Sequence, residues 1–367
     1  MKIIQVIQKP QMRGAEIFSA QLSEHLNILG HQVILVAVFP GIAKLPFRGR
    51  IIQMNRKQAL RFCDVAGWYS FAKLVNEFNP DIIQANAADT LKSTIFSKLI
   101  FRWNHPVVYR NANLISGFIN TRVKLWFNKF LLSHTAGVIS VSEICNVDCI
   151  RLFKYPENKT VVIPIGIENS YFDKKETPGD LIPSKKPVLL SVAGMVPEKN
   201  HKGLIRIFSR IKMSFSEAQL VLIGSGRLEN EIRDLAISLG LQDSVHFMGN
   251  RNDVNHFMND SNIFLLPSLV EGLPAVILEA MASNCPVVAY DAGGISEIVR
   301  NRETGMLIPV NDVEMFVNAV LEVLTDEYFR NTLVSNACTL VKQQFDNESI
   351  AVRFADAYNV ILNQEVH

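Results

Sequence analysis

Short strand patterns alternate with longer helical patterns along most of this chain, and this alternation restricts the fold more than any other feature. A strand pattern at residues 3–7 is followed by apolar residues at helical spacing over 14–29, and a second strand pattern follows at 32–39. Four further strand patterns continue the series, at residues 81–84, 107–110, 137–141 and 160–163. Such alternation predicts a parallel sheet with helices on both faces, which is a doubly wound α/β domain.

The alternation stops at residues 170–186 and then starts again. That interval is polar and contains two prolines and one glycine, and new strand patterns follow it at residues 187–193, 219–223, 245–248, 263–267 and 286–290. The 367 residues also exceed what one hydrophobic core usually covers. Only helical patterns follow residue 313. We therefore predict two similar α/β domains, at residues 1–169 and 187–345, a linker at 170–186, and a last helix at 346–367 that crosses back to the first domain.

Composition and cysteine usage predict a soluble protein of a reducing compartment. Hydrophobic residues make up 48% of the chain and charged residues 20%, and no apolar run is long enough to span a bilayer. The apolar run at residues 1–7 is too short for a signal peptide. The five cysteines include no C-x-x-C pair, which argues against a disulfide framework and a zinc site. We therefore expect a cytoplasmic protein without a bound metal.

Charge is distributed unequally along the chain. Residues 1–180 contain 22 Lys and Arg against 13 Asp and Glu, a balance of +9, whereas the remainder contains 15 against 22, a balance of −7. A basic half is typical of proteins that approach anionic membranes or acceptors, although an uneven solvated surface gives the same count. Residues 115–133 mix basic and aromatic side chains, including Phe118 and Trp126, which suits a membrane interface or, alternatively, a helix face in the core. No nucleic-acid-binding motif is present.

Loops that follow strands are the first candidates for a binding site, because ligands of parallel sheets bind at the carboxyl ends of strands. Gly14 opens the first helix and would let a ligand approach the backbone. Lys199 follows the strand at 187–193, where an ammonium could neutralise a diphosphate. Gly224 lies in another glycine turn after a strand. None of these loops carries the G-x-G-x-x-G dinucleotide fingerprint, which argues against NAD as cofactor.

Two glutamates lie on either side of a predicted helix start. Glu271 is in the loop after the strand at 263–267, and Glu279 is further along the helix. The free N–H groups and the dipole of a helix N-terminus favour an anion, whereas carboxylates accept hydrogen bonds from sugar hydroxyls. A sugar nucleotide suits both, with predicted contacts from Gly272, Leu273, Pro274 and Ala275. The alternative is a loop acid and a solvated helix residue.

Taken together, these motifs resemble the family-4 retaining glycosyltransferases. Glu271 and Glu279, with seven residues between them, look like the family's E-x7-E motif. Further motifs stand in the family's order, at residues 141–143, 162–167, 195–201, 223–226 and 291–294. The resemblance covers residues 1 to about 341. It implies the GT-B architecture, in which two Rossmann-like doubly wound parallel-sheet domains face each other across a cleft, and metal-independent sugar transfer with retention of anomeric configuration.

The resemblance implies a role for each site residue. Lys199 would bind the donor diphosphate, Glu279 the ribose hydroxyls, and Glu271, with the amides that follow it, the transferred sugar. Lys199 and Glu271 are thus the candidate catalytic residues, and Gly14 and Gly224 would also meet the donor. No cofactor is implied. The substrates would be a UDP- or GDP-sugar and a glycan or lipid-linked acceptor of bacterial surface polysaccharide or glycolipid assembly, used at the inner face of the membrane.

The chain departs from the family's pattern in three places. Met195 stands where the family commonly has an arginine, which is the second cation for the diphosphate, and Arg13 replaces the first glycine of a Gly-Gly pair. We expect Arg13, across the cleft, to supply the charge lost at Met195; the alternative, which fits the sequence about as well, is an arginine that points to solvent. No histidine follows the first-domain strands; the predicted acceptor-side residues there are Asn86, Arg110 and Asn111. Two alternatives therefore stay open: a non-catalytic sugar-nucleotide-binding protein, and an epimerase or hydrolase of the same architecture.

Overall fold

The computed structural model describes residues 1–173 and 186–365. Its contacts divide the chain into two units: Met1–Gly166 together with the residues from Asn347 onward, and Ile167–Asp346. Most of the predicted linker, residues 174–185, lies outside the described residues. The described remainder of that segment belongs to the second unit.

Seven parallel strands form the sheet of the first unit: β1 (Lys2–Ile7), β2 (Gln32–Ala37), β3 (Arg50–Gln53), β4 (Ile82–Ala85), β5 (Val107–Asn111), β6 (Gly137–Ser140) and β7 (Thr160–Val162). Their order is β3-β2-β1-β4-β5-β6-β7. The central strands are runs of buried, mostly apolar residues, as expected for a sheet covered on both faces. The order reverses between β1 and β4, which is where open α/β sheets bind ligands.

Five helices follow strands of this sheet: α1 (Gly14–Ile28), α2 (Val65–Phe78), α3 (Ala88–Phe101), α4 (Arg122–Leu132) and α5 (Glu143–Phe153). Side chains cap several of them. The Asp64 carboxylate accepts from the Gly67 amide of α2, and the Thr121 hydroxyl accepts from the Lys124 amide of α4. The N-cap of α1 is Arg13, which makes no side-chain cap hydrogen bond. The first N–H groups of α1 are therefore not satisfied by a capping side chain.

Six parallel strands form the sheet of the second unit: β8 (Val188–Val192), β9 (Gln219–Ile223), β10 (Val245–Phe247), β11 (Ile263–Leu266), β12 (Val287–Tyr290) and β13 (Met306–Ile308). Their order, β10-β9-β8-β11-β12-β13, reverses between β8 and β11. The helices of this unit are α6 (His201–Ser214), α7 (Glu229–Ser238), α8 (Val254–Asp260), α9 (Ala275–Ala282), α10 (Val313–Thr325) and α11 (Glu327–Gln344).

The last helix, α12 (Asn347–Glu365), packs against α1 in the first unit. The Tyr358 hydroxyl accepts a hydrogen bond from Gln5 Nε2 at 3.0 Å and donates one to Gln84 Oε1 at 2.7 Å. Both glutamines are fully buried, on β1 and β4. Because a buried amide without a partner is costly, these bonds favour one position of α12 on the sheet.

The predicted fold class is confirmed. Each unit contains one sheet in which every described strand pairing is parallel, strands alternate with helices, and the chain ends in helices. In residues 1–173 and 186–365, we find no helix whose length and apolar character would let it cross a membrane.

Candidate functional site

Two loops at the carboxyl edge of the second sheet are joined by hydrogen bonds. One follows β8 and contains a short 3-10 turn, Pro197–Lys199; the other connects β11 to α9. Asn200 adopts a left-handed conformation with φ 53°, and its Nδ2 donates to the Pro267 carbonyl at 3.1 Å. The Leu269 amide donates to the Glu198 carbonyl at 2.8 Å. These bonds hold the two loops side by side at the strand reversal.

Lys199 and Glu271, the two predicted catalytic residues, form an ion pair across these loops. Lys199 Nζ lies 2.5 Å from Glu271 Oε1, and the side chains are 26% and 6% exposed. An ammonium has three N–H donors, so Lys199 can contact an anion while it remains bonded to Glu271. The neighbouring His201 is buried, and burial lowers its pKa to about 4, so it is neutral at pH 7. Lys199 therefore supplies the positive charge of this loop.

Close backbone approach requires glycine at two positions near the pair. A Cβ on Gly293, which has φ 60°, would lie 1.8 Å from the Glu271 carbonyl oxygen. The next residue, Gly294, donates its amide to the Gly272 carbonyl at 2.9 Å. A Cβ on the predicted site residue Gly224, at φ 131°, would lie 2.1 Å from the Ala193 carbonyl oxygen. One glycine turn thus packs against the loop that carries Glu271, and the other packs against the start of the loop that carries Lys199.

Helix α9 begins beside Glu271. Its N-cap is Pro274, with no side-chain cap hydrogen bond and no acidic residue in the first turn. Gly272, Leu273 and Pro274 are buried and Ala275 is partly exposed. The positive end of the helix dipole is therefore not offset by a local carboxylate of the helix itself, which favours an anion here. Donor contacts from residues 272–275 remain a prediction.

Glu279 lies one turn into α9 and interacts with a tyrosine that the sequence analysis did not select. Tyr171, in the 3-10 turn Asn169–Tyr171, makes a side-chain hydrogen bond with the Glu279 carboxyl group. Burial raises the pKa of Glu279 to about 7, and the bond from Tyr171 opposes that rise. Tyr171 is far from Glu279 in sequence and fell in the predicted linker, so no local pattern could have paired them.

Met195 does not lie where the sequence predicted. Met195 has no exposed surface and packs in the hydrophobic core of the second unit. A side chain at this position cannot reach a ligand, so the expectation that Met195 replaces a ligand-binding arginine is wrong. The adjacent Gly194 is exposed, and a Cβ there would meet only the Ser225 carbonyl oxygen, at 3.8 Å. Gly194 therefore has room for a side chain.

In the first unit, the predicted residues at the start of α1 are accessible. Arg13 and Gly14 are exposed, and a Cβ on Gly14 would meet no atom within 4 Å. There is thus space for a ligand against the backbone at this helix start. The compensating role of Arg13 remains a prediction.

The predicted acceptor-side residues lie at the ends of β4 and β5, and all three are buried. Asn86 Nδ2 donates to Gln5 Oε1 at 2.8 Å, and Asn111 Nδ2 donates to the Cys145 carbonyl at 3.0 Å. The two asparagine side chains therefore satisfy partners inside the unit. Three buried atoms of this group have no hydrogen-bond partner among the described residues: Arg110 Nε, Arg110 Nη1 and Asn111 Oδ1. Their role toward an acceptor remains a prediction.

Comparison with known proteins places both units in the same group of enzymes. The model described as Glycosyltransferase Family 4 matches residues 12–171, and the model described as Glycosyl transferases group 1 matches residues 173–339. The two matches follow one another along the chain and together run through both units.

Individual relatives are also named as glycosyltransferases. A Campylobacter jejuni relative, the N,N'-diacetylbacillosaminyl-diphospho-undecaprenol alpha-1,3-N-acetylgalactosaminyltransferase, is 28% identical over 339 residues, which is 85% of each chain. An uncharacterized glycosyltransferase of Haemophilus influenzae is 31% identical over 180 residues, which is 47% of this chain and about half, 51%, of that relative. The crystal structure of Anabaena HepE in complex with UDP and glucose has a TM-score of 0.84 at 20% identity and covers 98% of this chain and 100% of its own.

The structural likeness shows the fold, which is GT-B, and the two family matches account for the order of the motifs. Lys199 and Glu271 meet at one sheet edge, and Glu279 lies on the helix that follows, in the part of the chain that the second model matches. The chain belongs to the family-4 glycosyltransferases.

Proposed function

We propose that this protein transfers a sugar from a nucleotide-sugar donor to a lipid-linked or polysaccharide acceptor, with retention of anomeric configuration. The observation that carries the proposal is the Lys199–Glu271 ion pair beside the uncapped start of α9, with Glu279 on the same helix. The ammonium and the helix N-terminus suit a diphosphate, and the two carboxyl groups suit the hydroxyls of a sugar and a ribose.

In the proposed reaction, Lys199 stabilises the leaving group. As the glycosidic bond breaks, negative charge develops on the nucleoside diphosphate, and Lys199 is partly desolvated and already held in place by Glu271. The leaving phosphate then accepts the proton of the acceptor hydroxyl, so the step needs neither a protein nucleophile nor a metal ion. Support for a UDP-sugar comes from the fold shared with HepE, which was solved with UDP and glucose.

The acceptor is proposed to be linked to a lipid diphosphate at the cytoplasmic face of a membrane. The name of the Campylobacter jejuni relative gives it such an acceptor, a saccharide on diphospho-undecaprenol. The basic balance of residues 1–180 favours an anionic acceptor and an anionic surface.

Helix α4 supplies a surface for membrane contact. Val123 and Trp126 are 77% and 69% exposed, and Arg122, Lys124 and Lys129 are exposed on the same helix. Exposed aromatic and basic side chains on one short helix suit the interface of an anionic bilayer. We expect co-sedimentation with vesicles that contain phosphatidylglycerol, weakened by salt and by Trp126→Ser. The control is Tyr328→Ser, at an 84% exposed position of the second unit. Absence of salt-sensitive binding would remove this part of the proposal.

The direct test of the activity is product analysis. The protein is incubated with UDP- and GDP-sugars, with and without a saccharide on a polyprenyl diphosphate, and the new linkage is assigned by NMR. We expect acceptor-dependent transfer from one donor class, an anomeric configuration equal to that of the donor, and no loss of rate with EDTA. Donor hydrolysis that ignores the acceptor, or donor binding without turnover over many acceptors, would instead favour a hydrolase or a non-catalytic binding protein.

A further inference from the structure

Arg110 carries a buried guanidinium group with two nitrogen atoms that the described part of the protein does not pair. The residue belongs to β5 and is 2% exposed, and its Nε and Nη1 have no hydrogen-bond partner among the described residues. Its Cζ lies 4.3 Å from the centroid of the Phe18 ring on α1, which offers a face for the cation but no acceptor. Buried polar side chains are nearly always paired, so an unpaired guanidinium requires an explanation.

The described groups around Arg110 make no hydrogen bond to its Nε or Nη1. Glu16, in the first turn of α1, attracts it through space, but the Glu16 carboxylate accepts a hydrogen bond from Gln11 Nε2 at 2.8 Å, and burial raises the pKa of Glu16. Burial also raises the pKa of Tyr109 and of Tyr358, so both hydroxyls are uncharged at neutral pH. Burial lowers the pKa of Arg110 to about 10, which leaves it charged at pH 7.

The position of Arg110 indicates what would pair with it. The guanidinium lies beside the first turns of α1, next to Glu16 and Phe18. That helix has no side-chain cap, and the space next to Gly14 is open. The planar guanidinium of Arg110 and the N–H groups at the uncapped start of α1 are both donors that suit the oxygens of a phosphate.

We propose that Arg110 binds a phosphate group of a substrate in the first unit, together with the start of α1. The ligand class is a phosphate or diphosphate ester. Two substrates of the proposed function carry such a group, the nucleotide-sugar donor and the lipid diphosphate acceptor, and the proposal rests on that function for their identity. The binding step itself can be tested without turnover.

The first measurement uses inorganic pyrophosphate as the probe. The full chain carries Lys199→Ala throughout, so that stabilisation by pyrophosphate reports sites other than Lys199, and thermal unfolding is compared for Arg110→Gln, Arg110→Lys and the exposed control Arg151→Gln. We expect pyrophosphate to raise the midpoint in the Lys199→Ala parent and in the Arg151→Gln control, less in Arg110→Lys, and not in Arg110→Gln. Without pyrophosphate, Arg110→Gln should unfold no earlier than its parent, because it removes an unpaired buried charge.

The second measurement shows whether the phosphate group bound by Arg110 belongs to the donor or to the acceptor, and it uses a chain that is otherwise wild type. We expect Arg110→Gln to raise the KM of one substrate, donor or acceptor, by roughly tenfold or more, with Arg110→Lys between it and wild type. Equal pyrophosphate stabilisation in Arg110→Gln and its parent, or none in the parent, would overturn the proposal. So would an Arg110→Gln variant that only loses stability, with both KM values unchanged. Arg110-dependent pyrophosphate binding without any sugar transfer would support this site and contradict the proposed function.

Discussion

At the scale of single residues, the Lys199 ammonium can bind an anion while it is paired with Glu271. The bond to Glu271 fixes the position of the side chain and leaves other N–H donors of the ammonium unused by that bond. Lys199 Nζ meets one carboxylate oxygen at 2.5 Å while a quarter of its side chain remains exposed. The sequence pointed to Lys199, Glu271 and Glu279 through their spacing and their place after strands. It could not show that Met195 is buried or that Tyr171 contacts Glu279, because both facts depend on packing between distant segments.

Donor binding should depend on pH through Glu279. Burial raises the pKa of Glu279 from its ordinary value of 4.5 to about 7, so its contribution to folding stability is present below pH 4.5 and is lost as pH rises to about 7. Acceptance of two ribose hydroxyl hydrogen bonds needs the ionised form, so UDP affinity should rise with pH through the same range.

Because the bond from Tyr171 lowers the pKa of Glu279, Tyr171→Phe should move the midpoint of the UDP-binding profile to higher pH. Glu279→Gln should remove this pH dependence. Isothermal titration calorimetry with UDP measures the effects of the two substitutions. The titrations run from pH 5 to pH 9, about two units either side of the pKa near 7. A Tyr171→Phe profile that coincides with wild type would contradict the assignment.

Gly194 offers a gain-of-function test. The position is exposed and has room for a side chain, and its φ is not in the left-handed region. Gly194→Arg should add a second cation for the diphosphate and lower the Kd for UDP by roughly threefold to tenfold. The matched control is Gly194→Gln, which has similar reach without charge. If the arginine and glutamine variants bind UDP equally, the position does not face the diphosphate.

At the scale of elements, the central strands and the helices were predictable because their apolar runs are long and their order alternates. The two strands that the sequence analysis missed are short edge strands. β3 is half-exposed and polar at both ends, and β13 is three residues long. The apolar pattern of β3 is weak because an edge strand needs less burial, whereas β13 is apolar but too short for its pattern to indicate a strand.

The glycine turn after β12 should be essential to the position of Glu271. Gly293→Ala would place a Cβ 1.8 Å from the Glu271 carbonyl oxygen at φ 60°, so we expect a loss of roughly 2–5 kcal/mol of stability and a loss of UDP binding. Gly240→Ala is the control: φ is 69°, but a Cβ meets no atom within 4 Å, and the expected cost is roughly 1–2 kcal/mol with UDP binding retained. Calorimetry and UDP titration measure the two effects. Equal costs in the two variants would contradict the close approach.

At the scale of the whole molecule, the chain leaves its first unit after Gly166 and returns to it at Asn347. The return of the last helix was expected from the sequence, but its partners were not, because Gln5 and Tyr358 are 353 residues apart and no local pattern links them. Only the packed structure shows which buried amides meet which hydroxyl.

Tyr358→Phe should destabilise the first unit alone. The substitution removes the bonds that the hydroxyl makes with the buried Gln5 Nε2 and Gln84 Oε1, for an expected cost of roughly 1–3 kcal/mol. The three tryptophans, at positions 68, 103 and 126, all lie in the first unit, so tryptophan fluorescence during urea unfolding reports that unit. The exposed Tyr328→Phe serves as control. An unchanged urea midpoint for Tyr358→Phe would show that the network contributes little.

The role of the Lys199–Glu271 site in sugar transfer is tested most directly by comparing the acceptor-dependent transfer rates of Lys199→Ala and Lys202→Ala. Both lysines form an ion pair with a glutamate at 2.5 Å, but Lys202 pairs with Glu231, not with Glu271, and is more exposed than Lys199. We predict that Lys199→Ala lowers kcat/KM by roughly 10²–10³-fold, whereas Lys202→Ala leaves it near the wild-type value. Equal rates in the two variants would contradict the claim that the Lys199–Glu271 site performs the transfer.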